Sequence, residues 1–145
     1  MNTAAKEALT TFNNGINCAQ AVLSAYCEKY GLTKETAYKI ASGFGGGVRS
    51  GEICGAVSGA VLVIGLKYGQ RNPEDAQAKA DCYAKTEEFV RVYKILNGSV
   101  VCRELLGCDL STQEGKDIAK EKNLFNTVCA EKVKNAIELL EEMGY

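Results

Sequence analysis

One segment constrains the fold of this chain more than any other. Between Ile53 and Leu66 it reads ICGAVSGAVLVIGL without a charge, and Gly51, just before it, with Gly55 and Gly59 inside it, recur every four residues. Residues four apart share one face of an α-helix, so a stripe without side chains would let a neighbouring backbone come close. That closeness costs about 1 kcal/mol of helix propensity per glycine. A helix apolar nearly all round belongs in the middle of others. The pattern predicts it from about Glu52 to Tyr68; its apolar stretch is shorter than the ~20 residues a membrane-spanning helix needs, and it reads as a buried core helix.

The rest of the chain is punctuated as helices, with a single proline, Pro73. A first amphipathic segment over residues 3–12 stops at Asn13-Asn14-Gly15, and Asn17 is placed to cap a second. In that second helix Ala21, Val22, Ala25, Tyr26 and Lys29 keep helical spacing until Tyr30-Gly31. Thr33 caps residues 34–42. Pro73 suits the first turn of a helix over 74–96, with Phe89, Val92, Tyr93 and Leu96 on its apolar face. A short turn or helix spans residues 101–107, Ser111 and Glu114 have capping-box spacing, and residues 124–143 close the chain with Val128, Val133, Ile137 and Leu140 as the buried set. No segment alternates with period two. The expected fold class is all-α, a compact bundle of six to eight helices around the glycine-striped one, with short connections making sequential helices antiparallel neighbours. At 145 residues the expected organisation is a single cysteine-containing helical domain, 1–145.

Composition then narrows the chemistry. The net charge of -1 leaves no basic excess to neutralise a nucleic-acid backbone. The opening MNTAAKEALTTFNNG lacks the basic-then-apolar order of a secretory signal, so the expected setting is cytoplasmic. Seven cysteines there would be reduced unless catalytic or sensory, and an odd number leaves at least one outside any intramolecular pairing. The chain has no histidine, which removes the usual general base and the commonest nitrogen metal ligand.

Cys54 stands out among the seven. It follows a glycine-rich turn, FGGGVRSG, in the first turn of the expected central helix. Unpaired N–H groups at a helix N-terminus favour a thiolate, and Arg49 would add to that. Gly43, Gly45, Gly46 and Gly47 are expected to supply positive-φ conformations for a sharp reversal. Phosphate binding by the turn ranks last: no strand precedes it, no Lys-Ser/Thr pair closes it, and the spacing is not the dinucleotide fingerprint.

Taken together, NCAQAV with Cys18, GFGGGVRSGEICGAVSGA with Cys54, VCRELLG with Cys102 and the late Cys129 resemble the redox-active protein family defined by four cysteines and a CGAxxG motif (C_GCAxxG_C_C). The resemblance spans nearly the whole chain. It implies a small helical protein whose Cys18, Cys54, Cys102 and Cys129 are redox-active or ligate a metal, with an unknown redox partner and an association with a transporter system. Cys27, Cys82 and Cys108 lie outside the pattern, although Cys108 is close enough to Cys102 to join the same site.

Two classes of function follow. In the first, the four cysteines converge in the bundle, either as thiolate ligands of zinc or an iron–sulfur cluster or as a metal-free exchange site in which Cys54 attacks and Cys18, Cys102 or Cys108 resolves. In the second, the chain is a non-enzymatic structural or interaction module, its cysteines reduced core residues and its glycine stripe serving helix contact or self-association as a homo-oligomer. Cys27 and Cys82, mid-helix beside Tyr26 and Tyr83, are read as core residues.

Overall fold

The computed structural model describes residues 2–145. Among them are eight α-helices and no strand: α1 (Thr3–Asn13), α2 (Cys18–Tyr26), α3 (Lys34–Ala41), α4 (Gly55–Tyr68), α5 (Ala76–Asn97), α6 (Cys102–Leu106), α7 (Gln113–Glu121) and α8 (Ala130–Glu142). The all-α expectation is met.

Several boundaries follow directly from caps read in the sequence. The Asn17 side chain accepts from Gln20 N–H while Gln20 returns a bond to the Asn17 N–H, closing a capping box on α2. Thr33 caps α3 by accepting from Thr36 N–H. Elsewhere the start shifts. Pro73 lies in the turn before α5 rather than in its first turn, and Asp75 is the cap. Thr112, not Ser111, caps α7, because Ser111 is engaged with Asp109. Of the face expected on α5, Phe89 and Tyr93 are fully buried, whereas Leu96 is exposed.

The glycine stripe serves the pairing of α2 with α4, the most extensive helix contact in the molecule. A Cβ on Gly59 would come within 2.7 Å of the Ala19 carbonyl oxygen, and one on Gly55 within 3.2 Å of the Cys18 Cβ. The two backbones can therefore approach only at glycine. Gly51 is not part of this stripe, since α4 begins four residues later. Around the α2–α4 pair, α1, α3, α5 and α8 complete the main core, in which Val22, Leu23, Val57, Val63, Ile64, Val133, Ile137 and Leu140 are buried together with Phe89 and Tyr93.

There is a second, smaller core. Cys102, Leu106, Cys108, Leu110, Ala119 and Cys129 form it, with Cys18 packed against both cores. The last helix also deviates here, because residues Phe125–Cys129 make a widened turn before regular α8 begins. Such turns insert an extra residue into the helical ladder and recur at functional sites.

Candidate functional site

Each of the four pattern cysteines stands where a helix starts. Cys18 is the first residue of α2, Cys54 precedes α4, Cys102 opens α6, and Cys129 joins the widened turn to α8. Three local devices bring these starts together. Gly55 leaves room for Cys18 beside the entry to α4. A single antiparallel bridge joins Ile53 to Val101, and the Cys54 N–H donates to the Val100 carbonyl at 2.8 Å. Because side chains alternate along extended backbone, the residues one step beyond the bridge, Cys54 and Cys102, emerge on the same side. Finally, the turn before Cys129 sets that thiol against Cys18.

The glycine-rich turn is stranger than its composition suggests. Gly46 and Gly47 have positive φ, as expected, but Gly43 and Gly45 do not, and the left-handed run continues through Val48 (φ 59°) and Arg49 (φ 57°). Left-handed conformation in a β-branched or long side chain costs about 1–3 kcal/mol per residue. The run is held in place by its surroundings: Glu52 N–H donates to the Gly47 carbonyl at 3.1 Å, Arg103 donates to the Gly51 carbonyl at 3.0 Å, and Arg103 pairs with Glu52 at 2.8 Å. A Cβ on Gly47 would run into the Glu52 backbone.

All four cysteines line one cavity of about 400 Å³. Cys54, Cys102 and Cys129 are buried and Cys18 half-buried, and all seven cysteines are free thiols. Cys108 sits in the small core behind Cys102 and Cys129 and does not line the cavity. Cys27 is a core residue whose thiol donates to the Ser24 carbonyl at 3.5 Å, and Cys82 is half-buried against the core. Neither approaches the cavity.

Electrostatics separates the four thiols. The interaction of Cys18 with the neighbouring Cys129 thiol holds Cys18 well above its usual range, with burial adding to the rise. The same interaction lowers Cys129 against the opposing effect of burial. Within this pair the raised value is at Cys18 and the lowered one at Cys129. Cys54 behaves otherwise than expected. Burial raises it, outweighing the Ala56 and Val57 amides, which favour its thiolate without closing a regular capping bond. Burial also pushes Cys102 up to about 12 and raises Cys108. The thiol with the depressed value is thus Cys129, which its sequence setting did not single out.

The family described as "Putative redox-active protein (C_GCAxxG_C_C)" matches residues 16–143 of the 145. The chain belongs to this family. The family label writes the motif as GCAxxG, whereas here the cysteine precedes the glycine, Cys54-Gly55-Ala56, and Gly59 closes it. In this member of the family the motif has a steric meaning: its two glycines admit α2, and α2 brings Cys18. Neither a curated protein nor a solved structure matches the chain.

No group of three or more His, Cys, Asp and Glu among the described residues is arranged to hold a metal ion. The four cysteines border a common cavity, but as placed they do not fit the close thiolate set that zinc or an iron–sulfur cluster requires. No helix among the described residues is long and apolar enough to cross a membrane. Besides the cysteines the cavity is bordered by two cations, Arg49 and Lys132. The sequence offered no special sign of Lys132, although its place three residues after Cys129 puts it on the same helical face.

Proposed function

We propose that this protein carries out thiol–disulfide exchange, with Cys129 as the attacking thiolate and Cys18 as the resolving thiol. The observation that supports this reading is that both thiols line one cavity, where the interaction between them lowers Cys129 and raises Cys18. The Cys129 thiolate attacks one sulfur of a disulfide R–S–S–R, forming a mixed disulfide and expelling RS⁻. Cys18 gives up its proton to the expelled thiolate and attacks Cys129 Sγ, expelling the second RS⁻, which takes a proton from solvent. The protein dithiol is oxidised by two electrons and the substrate is reduced to two RSH. Run backwards with a dithiol donor, the same steps return the protein to its reduced form. Cys54 and Cys102, held protonated at neutral pH by burial, stay out of the first step.

Residue-resolved alkylation and thiol release test this. Cys129 is expected to alkylate fastest at pH 7, and its rate to rise with pH through a midpoint below the ordinary thiol value of 9.0. Replacing Cys18 by Ala removes the donor and is expected to move that midpoint up. With bis(2-hydroxyethyl) disulfide the native protein should release two thiols per chain, Cys18→Ser one, and Cys129→Ser none. Fastest alkylation at Cys54, or full release from Cys129→Ser, would overturn the assignment. Uniformly inert thiols would point to the interaction module instead. Zinc, or iron with sulfide, bound to anaerobically purified protein with four protected thiols would replace exchange by a metal–thiolate centre.

A further inference from the structure

Resting on the exchange reading above, we infer that the disulfide taken by this site is a small molecule whose arms carry carboxylates, with Arg49 and Lys132 as the residues that select it. The cavity of about 400 Å³ is of the size of small-ligand pockets. Its border holds two full positive charges and no aspartate or glutamate, in a chain whose net charge is -1. The cationic character is therefore local to this cavity rather than a property of the molecule as a whole.

Both cations are left free of carboxylates. None of the ion pairs among the described residues involves Arg49 or Lys132. Lys132 is steadied by a neutral partner, donating to Asn97 Oδ1 at 3.1 Å, and its charge reaches far enough to favour the Cys54 thiolate. The guanidinium of Arg49 lies back across the turn, so that a Cβ on Gly46 would come within 2.9 Å of its Nη1. Gly46 itself borders the cavity. The strained left-handed run thus has a directional result: it seats an unpaired arginine at the cavity's border. The N-termini of α2 and α4, which open beside Cys18 and Cys54, add positive potential in the same direction.

An anionic disulfide would otherwise be repelled by an attacking thiolate, and the two cations remove that penalty. Each charge-assisted contact is worth about tenfold in binding or more. Three disulfides of similar size and different charge test the point: 3,3′-dithiodipropionate (dianionic), bis(2-hydroxyethyl) disulfide (neutral) and cystamine (dicationic). At low ionic strength the native protein is expected to react about tenfold or more faster with the dianion than with the neutral compound, and slowest with cystamine. Added salt should narrow the spacing. Arg49→Gln and Lys132→Gln should each compress the ranking about tenfold while circular dichroism remains native, and Arg49→Lys should restore part of it.

A readout that does not need exchange separates the two ideas. Cys129→Ser protein is expected to be thermally stabilised by dithiodipropionate and not by cystamine. If no disulfide reacts with the native protein yet this binding difference persists, the selection stands and the exchange reading falls. If all three react at equal rates and stabilise equally, the selection by Arg49 and Lys132 is overturned and exchange stands. A preference that survives in both glutamine variants would overturn it as well.

Discussion

The two cores of this protein are built on different principles. In the large one, around α2, α4, α5 and α8, aliphatic and aromatic side chains fill the space between regular helices, and Phe89 and Tyr93 stack at 5.7 Å between ring centres. In the small one, Cys102, Cys108 and Cys129 make up half of the six buried residues, and the backbone around them is bent by a left-handed run, a lone bridge and a widened turn. Regular helices with interlocking apolar faces provide stability; the irregular seam provides convergence. Four thiols from four distant parts of the chain could not meet on one regular face, since each helix presents only its own neighbours three and four residues apart.

If that division is right, damage to the large core should cost stability and leave the chemistry of the remaining folded molecules alone. Phe89→Ala removes a fully buried ring and is expected to cost about 3–5 kcal/mol, read by denaturant unfolding. In conditions where the variant stays folded, the Cys129 alkylation rate should match that of the native protein. A changed rate would mean that the two cores are not separable.

Gly59 tests the boundary between them. Alanine there gains helix propensity, but its Cβ would meet the Ala19 carbonyl oxygen at 2.7 Å, and backbone cannot step aside as a flexible side chain can. A net loss of about 1–3 kcal/mol is expected. Because α2 must move away, Cys18 should move with it, and the Cys129 midpoint should rise along with the loss of stability. Phe89→Ala and Gly59→Ala therefore differ in the second readout even where they resemble each other in the first.

Much of the large core was legible in the sequence for a plain reason. Helical spacing, Asn17, Thr33 and the Val133–Ile137–Leu140 stripe are local signals, and local signals suffice when helices are regular. The pattern cysteines could be picked out by family resemblance, but not the relation between them. Which thiol is lowered depends on contact between Cys18 and Cys129, 111 residues apart, and no spacing rule reaches that far. At Cys54 the Ala56 and Val57 amides of the helix start do favour the thiolate, but burial, which no local spacing reveals, outweighs them. Positive φ at Val48 and Arg49 was hidden for a similar reason, since neither residue type favours it and only the Glu52, Arg103 and Gly51 contacts impose it.

Alkaline pH offers a gentler comparison, because buried protons are held in both cores. Cys102 is pushed up to about 12, and burial raises Tyr93, Tyr26 and Tyr145 further still. Each such group keeps its proton in the folded chain and loses it in the unfolded chain near its ordinary value, about 9 for the thiol and 10 for the phenols. Its stabilising share is complete below that value and is lost as pH rises through the window toward the folded value. Each group withdraws at most about 1.4 kcal/mol per pH unit. The melting temperature should thus fall above about pH 9, with Cys102→Ala weakening only the onset of the fall.

The smallest expected effect is also the sharpest control on the glycine argument. Gly65 lies on the same helix as Gly55 and Gly59, yet a Cβ added there would find nothing within 4 Å. Gly65→Ala should therefore collect the helix propensity that Gly59→Ala forfeits, a gain of up to about 1 kcal/mol, with the Cys129 midpoint unmoved. A destabilised Gly65→Ala would mean that α4 tolerates no added side chain anywhere, and the glycines would then mark a generally crowded helix. A stabilised one confines the requirement to the face that meets α2, where close approach is what delivers Cys18 to the cavity.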